Sequence, residues 1–245
     1  RSRGLAEKAG DTYEAARAWL KRHEPALDAY LGERPILDFR KLKQFSHSST
    51  KVFSSDRWAC TGEAGVFLDP FYSPGSDFIA TSNTITLAMM KLDRAGALTS
   101  EISERFNRFY LGLNENMVEA YRDCYPLFGS AGVMRDKILW DFAFYWACTA
   151  QFFFHGIVSR ADLLEKAIRV REPFLRLNKQ MQERFRSRGP EPGAPGNRYT
   201  GVFDHPEVWP LNFSLFPARP PEEVLEGLPK NLAVLEKLAG GFAIA

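Results

Sequence analysis

Cysteine and histidine are both scarce in this chain. Three cysteines, Cys60, Cys124 and Cys148, and four histidines are scattered over 245 residues. An odd cysteine count argues against a disulfide framework, and no histidines repeat at the intervals a zinc site uses. The thiols read as reduced and buried, as in a cytoplasmic protein, and no metal is expected. Charge of one sign is lacking too. The 32 Lys and Arg and 30 Asp and Glu leave a net +2, with the two signs interspersed. No basic face is left to track a nucleic acid backbone. Long hydrophobic runs are nearly absent as well. The best candidate, "ILWDFAFYWACTAQFFF" from Ile138 to Phe154, is a little short for a bilayer and carries Asp141 and Gln151. It reads as a buried helix and not as a membrane span. No signal peptide, internal repeat or Gly-x-Gly-x-x-Gly dinucleotide fingerprint is visible. The sequence opens on Arg1, in the middle of a helical pattern, which suggests a partial chain.

What is present is mostly helix, with the few strands all before residue 70. Apolar residues at spacings of three and four predict a first helix from Leu5 to about Tyr30, broken or kinked by Pro25. Alternation over Ile36 to His47 predicts one strand, with Phe39 and Phe45 on a shared face. "RWACT", Arg57 to Thr61, predicts a short second strand ending at a Gly62 turn. Helices follow over "SDFIATSNTITLAMMKL", closing near Gly96, and over "SEISERFNRFYLGLNENMVEAYRDCY", capped by Thr99 or Ser100. Beyond the aromatic helix and "ADLLEKAIRVREPFLRLNKQMQERFRSR", the stretch Gly189 to Asn197 is a Pro/Gly linker. A last helix spans about Pro221 to Leu238. Phenylalanine is over-used, at 20 residues, which suits an aromatic interior or a pocket for an apolar ligand.

The stretch "GEAGVFLDPFYSPGSDFIATSN", Gly62 to Asn83, carries the chemistry. Glu63 follows directly on a strand end, where an acid can accept bonds from ligand hydroxyls. Asp69-Pro70 imposes an extended or turn geometry. Ser73 stands at an N-cap position, Pro74 at the first helical position, and Gly75 lets a ligand approach the backbone. The helix start then offers N–H donors to electron-rich atoms. From the residues alone, a purely structural strand-to-helix connection is an equal reading.

"GEAGVFLDPFYSPGSDFIA" resembles the second FAD-binding motif of flavin-dependent halogenases and related aromatic monooxygenases. Members read Gly-Asp-Ala-Ala, an apolar pair, Asp-Pro, two residues and Ser-x-Gly. The upstream "FSH" and "DRWACTGEAG" are similar in order and spacing, so the resemblance covers about residues 35–95. It implies an α+β, mostly helical chain, the C-terminal half of a p-hydroxybenzoate-hydroxylase-like FAD-binding flavoprotein. Residues 1–50 would then be the remainder of a substrate and central-sheet region. Residues 51–95 would supply the last strand and flavin-facing helix, and residues 96–245 a C-terminal helical region. Gly62, Glu63, Asp69, Pro70, Ser73, Gly75 and Ser76 would surround FAD, Glu63 against its ribityl and phosphate region and Gly75 and Ser76 at its pyrimidine edge. Ser73, Gly75 and Ser76 would hold a halide in a halogenating member. A flavin reductase is the implied partner.

Three departures bear on the chemistry. Glu63 replaces the usual aspartate, one methylene shorter. Pro74 has no N–H to offer a halide, and Asp77 places a carboxylate in the first turn, either for the helix dipole or turned inward against an anion. Tyr72 stands where indole-acting halogenases carry glutamate, which disfavours tryptophan and leaves phenolic, pyrrolic or carrier-bound aromatic substrates. Neither the family's catalytic lysine nor its Trp-x-Trp-x-x-Pro motif occurs, so no catalytic residue is assigned here. Tyr72, Trp140, Phe144 and Phe152 are candidates to line the substrate pocket. The leading reading is a partial FAD-dependent halogenase-like monooxygenase, inactive by itself. The alternatives are a true halogenase and a non-catalytic helical scaffold that keeps the motif.

Overall fold

The computed structural model describes residues 11–42, 46–189 and 205–242, and divides into two compact units at residues 45 and 46. The first unit holds α1 (Tyr13–His23) and α2 (Pro25–Leu31). The Thr12 hydroxyl caps α1 by accepting from the Ala15 N–H at 3.1 Å. Pro25 ends the first helix and occupies the opening position of the second, the break expected of it, while the expected start at Leu5 lies outside the described residues. No strand forms over residues 33–42, and Phe45 lies outside the described residues. In strand pairing, His47 makes an isolated bridge to Phe67. The alternation from Ile36 thus finds no neighbour to pair with, and an unpaired strand is not a stable element. Phe39 instead packs edge-on against Tyr13, with ring centroids 5.9 Å apart.

The second unit begins with a small hairpin, β1 (Phe53–Ser54) against β2 (Trp58–Ala59), in antiparallel register Phe53 to Ala59. One side chain fixes it to the helices. Asn107 accepts from the Val52 and Phe53 N–H groups at 2.7 and 3.0 Å and donates to the Phe53 carbonyl at 2.7 Å. These are ladder bonds that a two-residue strand cannot find elsewhere. A 3-10 turn, Gly62–Ala64, leads on to α3 (Pro74–Arg94), which closes before Gly96 at φ 66°. The helix α4 (Ser100–Tyr121) follows, with Thr99 as its cap accepting from the Ile102 N–H.

The aromatic run is not one continuous α-helix. It comprises α5 (Ala131–Phe144), a π-helical turn (Tyr145–Thr149) and α6 (Ala150–Phe154). Then come α7 (Leu164–Arg188), α8 (Trp209–Phe213) and α9 (Pro221–Gly241). Helix α7 is central and packs on α4, α5 and α9. The core it organises is aromatic, with Phe106, Phe109, Tyr110, Trp140, Phe152, Phe174 and Phe185 all fully or almost fully buried. Each such side chain contributes about 1.5–3 kcal/mol by leaving water. The chain is therefore mostly helical with a few short strands, an α+β composition. All three cysteines are free; Cys124 and Cys148 are buried and Cys60 is partly exposed. Among the described residues no helix is long and apolar enough to cross a membrane, and no group of side chains could hold a metal ion. The linker beyond Gly189 lies outside the described residues.

Candidate functional site

The chain from β2 to α3 is shaped by a few backbone positions. Gly62 adopts φ 55°, and a Cβ there would sit 2.5 Å from the Ile79 Cγ1. Only glycine makes this turn without strain. Its N–H donates to the Ser82 Oγ at 2.9 Å, which ties the turn to α3 and leaves Glu63 exposed on the turn's outer side. Further on, the Asp69 carboxylate accepts from the Phe71 N–H at 2.9 Å and from the Tyr125 hydroxyl. This is an Asx-type turn, and it gives Asp69 a structural occupation. The Ser73 N–H donates to the Pro70 carbonyl at 2.9 Å. Ser73 itself is left-handed, at φ 56° and ψ 43°, and its hydroxyl does not cap α3. The N-cap position foreseen for Ser73 is correct; the capping bond is absent, because a left-handed backbone replaces the extended one that aims such a hydroxyl at the helix.

These residues surround an open cleft of about 250 Å³. Glu63, Asp69, Pro70, Ser73, Gly75 and Ser76 line it, with Val66, Leu68, Phe78 and Ile79 as its apolar floor. Gly62 is buried beside the cleft and does not line it. Gly75 is unusual among the glycines of this region. Its φ is not positive, and a Cβ added there would meet only the Glu63 Oε1, at 3.6 Å. The fold does not require glycine at this position; what glycine provides is open space above the first turn. Helix geometry leaves the Gly75 and Ser76 N–H groups without intrahelical acceptors. Such a set, two free N–H donors, a bare backbone and a carboxylate close by, suits a flat ligand with acceptors along one edge and hydroxyls on its tail.

On the other side of the α3 start lies a second cavity of about 290 Å³. Ser73 and Ser76 line both spaces. Tyr72, Met117, Phe142, Phe144 and Tyr145 give the second one aromatic and apolar walls, and Asp77, Asp141, Asn116 and Asn178 give it polar points. The π-helical turn supplies Tyr145 and Thr149, four residues apart, to this wall. Of the four residues offered as pocket candidates, Tyr72 and Phe144 line this cavity. Trp140 and Phe152 do not. Trp140 is fully buried, its indole N–H donating to the Asn178 Oδ1 at 2.8 Å, and Phe152 packs edge-on against Phe109 at 5.5 Å. A helix that is apolar on nearly all sides gives no sign of which side faces a cavity. Phe152→Leu is expected to cost about 1 kcal/mol in thermal melts and to leave aromatic ligand affinity unchanged. Phe144→Leu should change that affinity, and equal effects of both on affinity would remove Phe144 from the wall.

Behind the cavity runs a buried polar chain that sequence reasoning passed over. The Lys137 ammonium donates to the Asp141 Oδ2 at 2.7 Å, the Gln182 Oε1 at 2.8 Å and the Ala120 carbonyl at 2.8 Å. Asp141 also accepts from the Tyr72 hydroxyl at 2.8 Å and from the Gln182 Nε2 at 2.6 Å. Gln182 and Trp140 both donate to Asn178, which donates to Asn116. Burial and the neighbouring Asp141 charge raise the Tyr72 hydroxyl far above the ordinary phenol range, so it stays a donor. Asp77 is different. Among the described residues its carboxylate accepts from the Tyr145 hydroxyl alone, at 3.1 Å, and burial raises its carboxyl, an effect that this bond partly offsets. It is turned toward the cavity and so does more than sit in the helix dipole.

Comparison of this chain with known proteins finds a distant similarity. Over 135 residues, 53% of this chain, it is 23% identical to the flavin-dependent halogenase chlA of Dictyostelium discoideum. The relationship is distant. The aligned part is 22% of the halogenase's own length. No family model and no solved structure matches the chain.

Proposed function

We propose that this chain forms the flavin-facing helix start and the substrate cavity of an FAD-dependent oxidoreductase acting on an aromatic substrate. The observation that carries the reading is the shared wall. One helix N-terminus, bare at Gly75, separates an open cleft edged by Glu63 from an aromatic-walled cavity. A cofactor on one side and a substrate on the other would face each other across Ser73 and Ser76. The distant likeness to a flavin-dependent halogenase supports the same reading, as does the motif order through Gly62, Glu63, Asp69, Pro70, Ser73, Gly75 and Ser76. In this proposal the fold is the C-terminal part of a p-hydroxybenzoate-hydroxylase-like flavoprotein, and a separate flavin reductase supplies electrons. Bound flavin would supply activated oxygen. This chain's residues hold it and position the substrate: Gly75 and Ser76 N–H groups stabilise negative charge at the ring edge, and Glu63 accepts from hydroxyls of the ribityl tail.

Oxygenation is favoured over halogenation for a reason visible in the backbone. The Ser73 N–H is occupied by the Pro70 carbonyl and Pro74 has none, so two of the donors a halide could use are gone. Asp77, beside them, repels an anion. A halogenase remains the second reading, with Gly75 and Ser76 alone as halide donors.

Glu63→Ala tests the cofactor assignment in the full-length protein. Removing a charged acceptor from a ligand hydroxyl should weaken FAD binding by about 1.5–3 kcal/mol in a fluorescence titration. Unchanged affinity would take Glu63 out of the site. A full-length protein that binds no flavin would leave the scaffold reading.

A further inference from the structure

The cavity holds two carboxylates in opposite circumstances. Asp141 is neutralised: Lys137, Tyr72 and Gln182 give it three donors at 2.6–2.8 Å. All three Lys137 protons are engaged, by Asp141, Gln182 and Ala120, and its ammonium is sealed from solvent. Asp77 has the single Tyr145 bond and no cationic partner among the described residues. None of the residues lining the cavity is Lys, Arg or His. An ionised carboxylate has room for about four donors, so Asp77 retains most of its acceptor capacity. It faces a space with Tyr72, Met117, Phe142 and Phe144 on its walls, whose polar points Asn116, Asn178 and Asp141 belong to the bonded network behind it.

We propose that Asp77 is the specificity-determining residue of the cavity, selecting uncharged aromatic ligands that present an O–H or N–H donor and refusing aromatic carboxylates. This rests on reading the cavity as the substrate site and adds what the site accepts. A phenol or pyrrole places its donor on the Asp77 oxygen that Tyr145 leaves free, while its ring lies against the aromatic wall. An aromatic carboxylate brings a second negative charge to a partly dehydrated one, and no cation is free to compensate. Tyr145 positions the Asp77 carboxylate and, by filling one lone pair, orients the other oxygen toward the ligand. Burial and the adjacent Asp77 charge keep the Tyr145 hydroxyl protonated at neutral pH, so the direction of this bond is fixed.

Two probes with the same apolar body decide it: 4-ethylphenol and 4-ethylbenzoate, titrated at pH 7 by ligand-observed NMR into the protein without flavin. The phenol should bind and the benzoate should not. In Asp77→Asn the phenol affinity should fall about tenfold, the difference between a charged and a neutral acceptor, while benzoate binding becomes detectable. Tyr145→Phe should lower phenol affinity by less than Asp77→Asn does and still refuse the benzoate, since the Asp77 charge remains while its orientation is lost, and melting curves verify that each variant folds. Benzoate binding as tightly as the phenol overturns the proposal. So does unchanged phenol affinity in Asp77→Asn, a preference lost in Tyr145→Phe, or no binding of either probe. Because no flavin is present, these outcomes are independent of the Glu63 titration, and failure of one reading is separable from failure of the other.

Discussion

Replacing Lys137 by methionine is expected to lower the unfolding free energy by about 3–5 kcal/mol, the cost of stranding one member of a buried ion pair. For a unit of this size that corresponds to roughly 6–20 °C in melting temperature. The side chain is almost fully buried, and each of its three protons has an acceptor, so the ammonium is satisfied to its full valence. Methionine fills a similar volume without the charge. Asp141 would keep the Tyr72 and Gln182 donors but lose its counter-charge, and the Ala120 carbonyl and Gln182 Oε1 would each lose a donor. Adding Asp141→Asn to Lys137→Met should restore about 1–3 kcal/mol, since the uncompensated charge is gone and the Gln182 amide can turn to match. Denaturant unfolding of both variants measures this coupling. A loss below about 1 kcal/mol in Lys137→Met would mean that the pair is not buried as described.

That same pair shows where the sequence was legible and where it was not. Local signals with a fixed geometric meaning worked. Pro25 divides α1 from α2, Thr99 caps α4, Gly62 makes a left-handed turn, and Pro74 opens a helix that ends just before Gly96. Each is decided by a residue's own backbone limits, within a turn or two of chain. The strand expected from Ile36 failed because alternation says how a strand would present its faces, not whether a partner exists to bond it. The buried network failed to register for a related reason. Lys137 and Asp141 stand four apart on α5, and Asn178 and Gln182 stand four apart on α7. Read singly, each pair looks like an exposed helix pair. Their meaning lies in the company they keep: both sit on faces otherwise occupied by Trp140, Phe144, Phe174, Met181 and Phe185. Two polar pairs at helical spacing on two apolar faces are a signal of helices that meet through a shared polar core. Asp77 was legible only as a choice between helix dipole and cavity, because the Tyr145 that bonds it comes from 68 residues further along the chain and no local pattern records that contact.

Gly75→Ala and Gly75→Val should separate what the α3 start does for the fold from what it does for a cofactor. The backbone there is ordinary for any residue, and an added Cβ meets only the Glu63 Oε1, at 3.6 Å, an ordinary contact. Alanine in a helical turn also restricts the unfolded chain more than glycine does, so Gly75→Ala should hold stability or raise it by about 0.4–1 kcal/mol. The cleft responds in the opposite direction. A flat ring drawn against bare backbone N–H groups has no room for a methyl between them, and the Gly75 and Ser76 donors act only at hydrogen-bond distance. Loss of one such bond to an acceptor that carries charge costs about 1.5–3 kcal/mol, ten- to a hundred-fold in affinity. Flavin affinity of the full-length protein should therefore fall at least tenfold in Gly75→Ala and further in Gly75→Val, while the melting temperature of the alanine variant stays level or rises. Affinity that follows side-chain size against stability that does not would place the ring at this helix start. Wild-type flavin binding in both variants would move it elsewhere, and a fall in affinity accompanied by an equal fall in stability would leave Gly75 a residue of the fold alone.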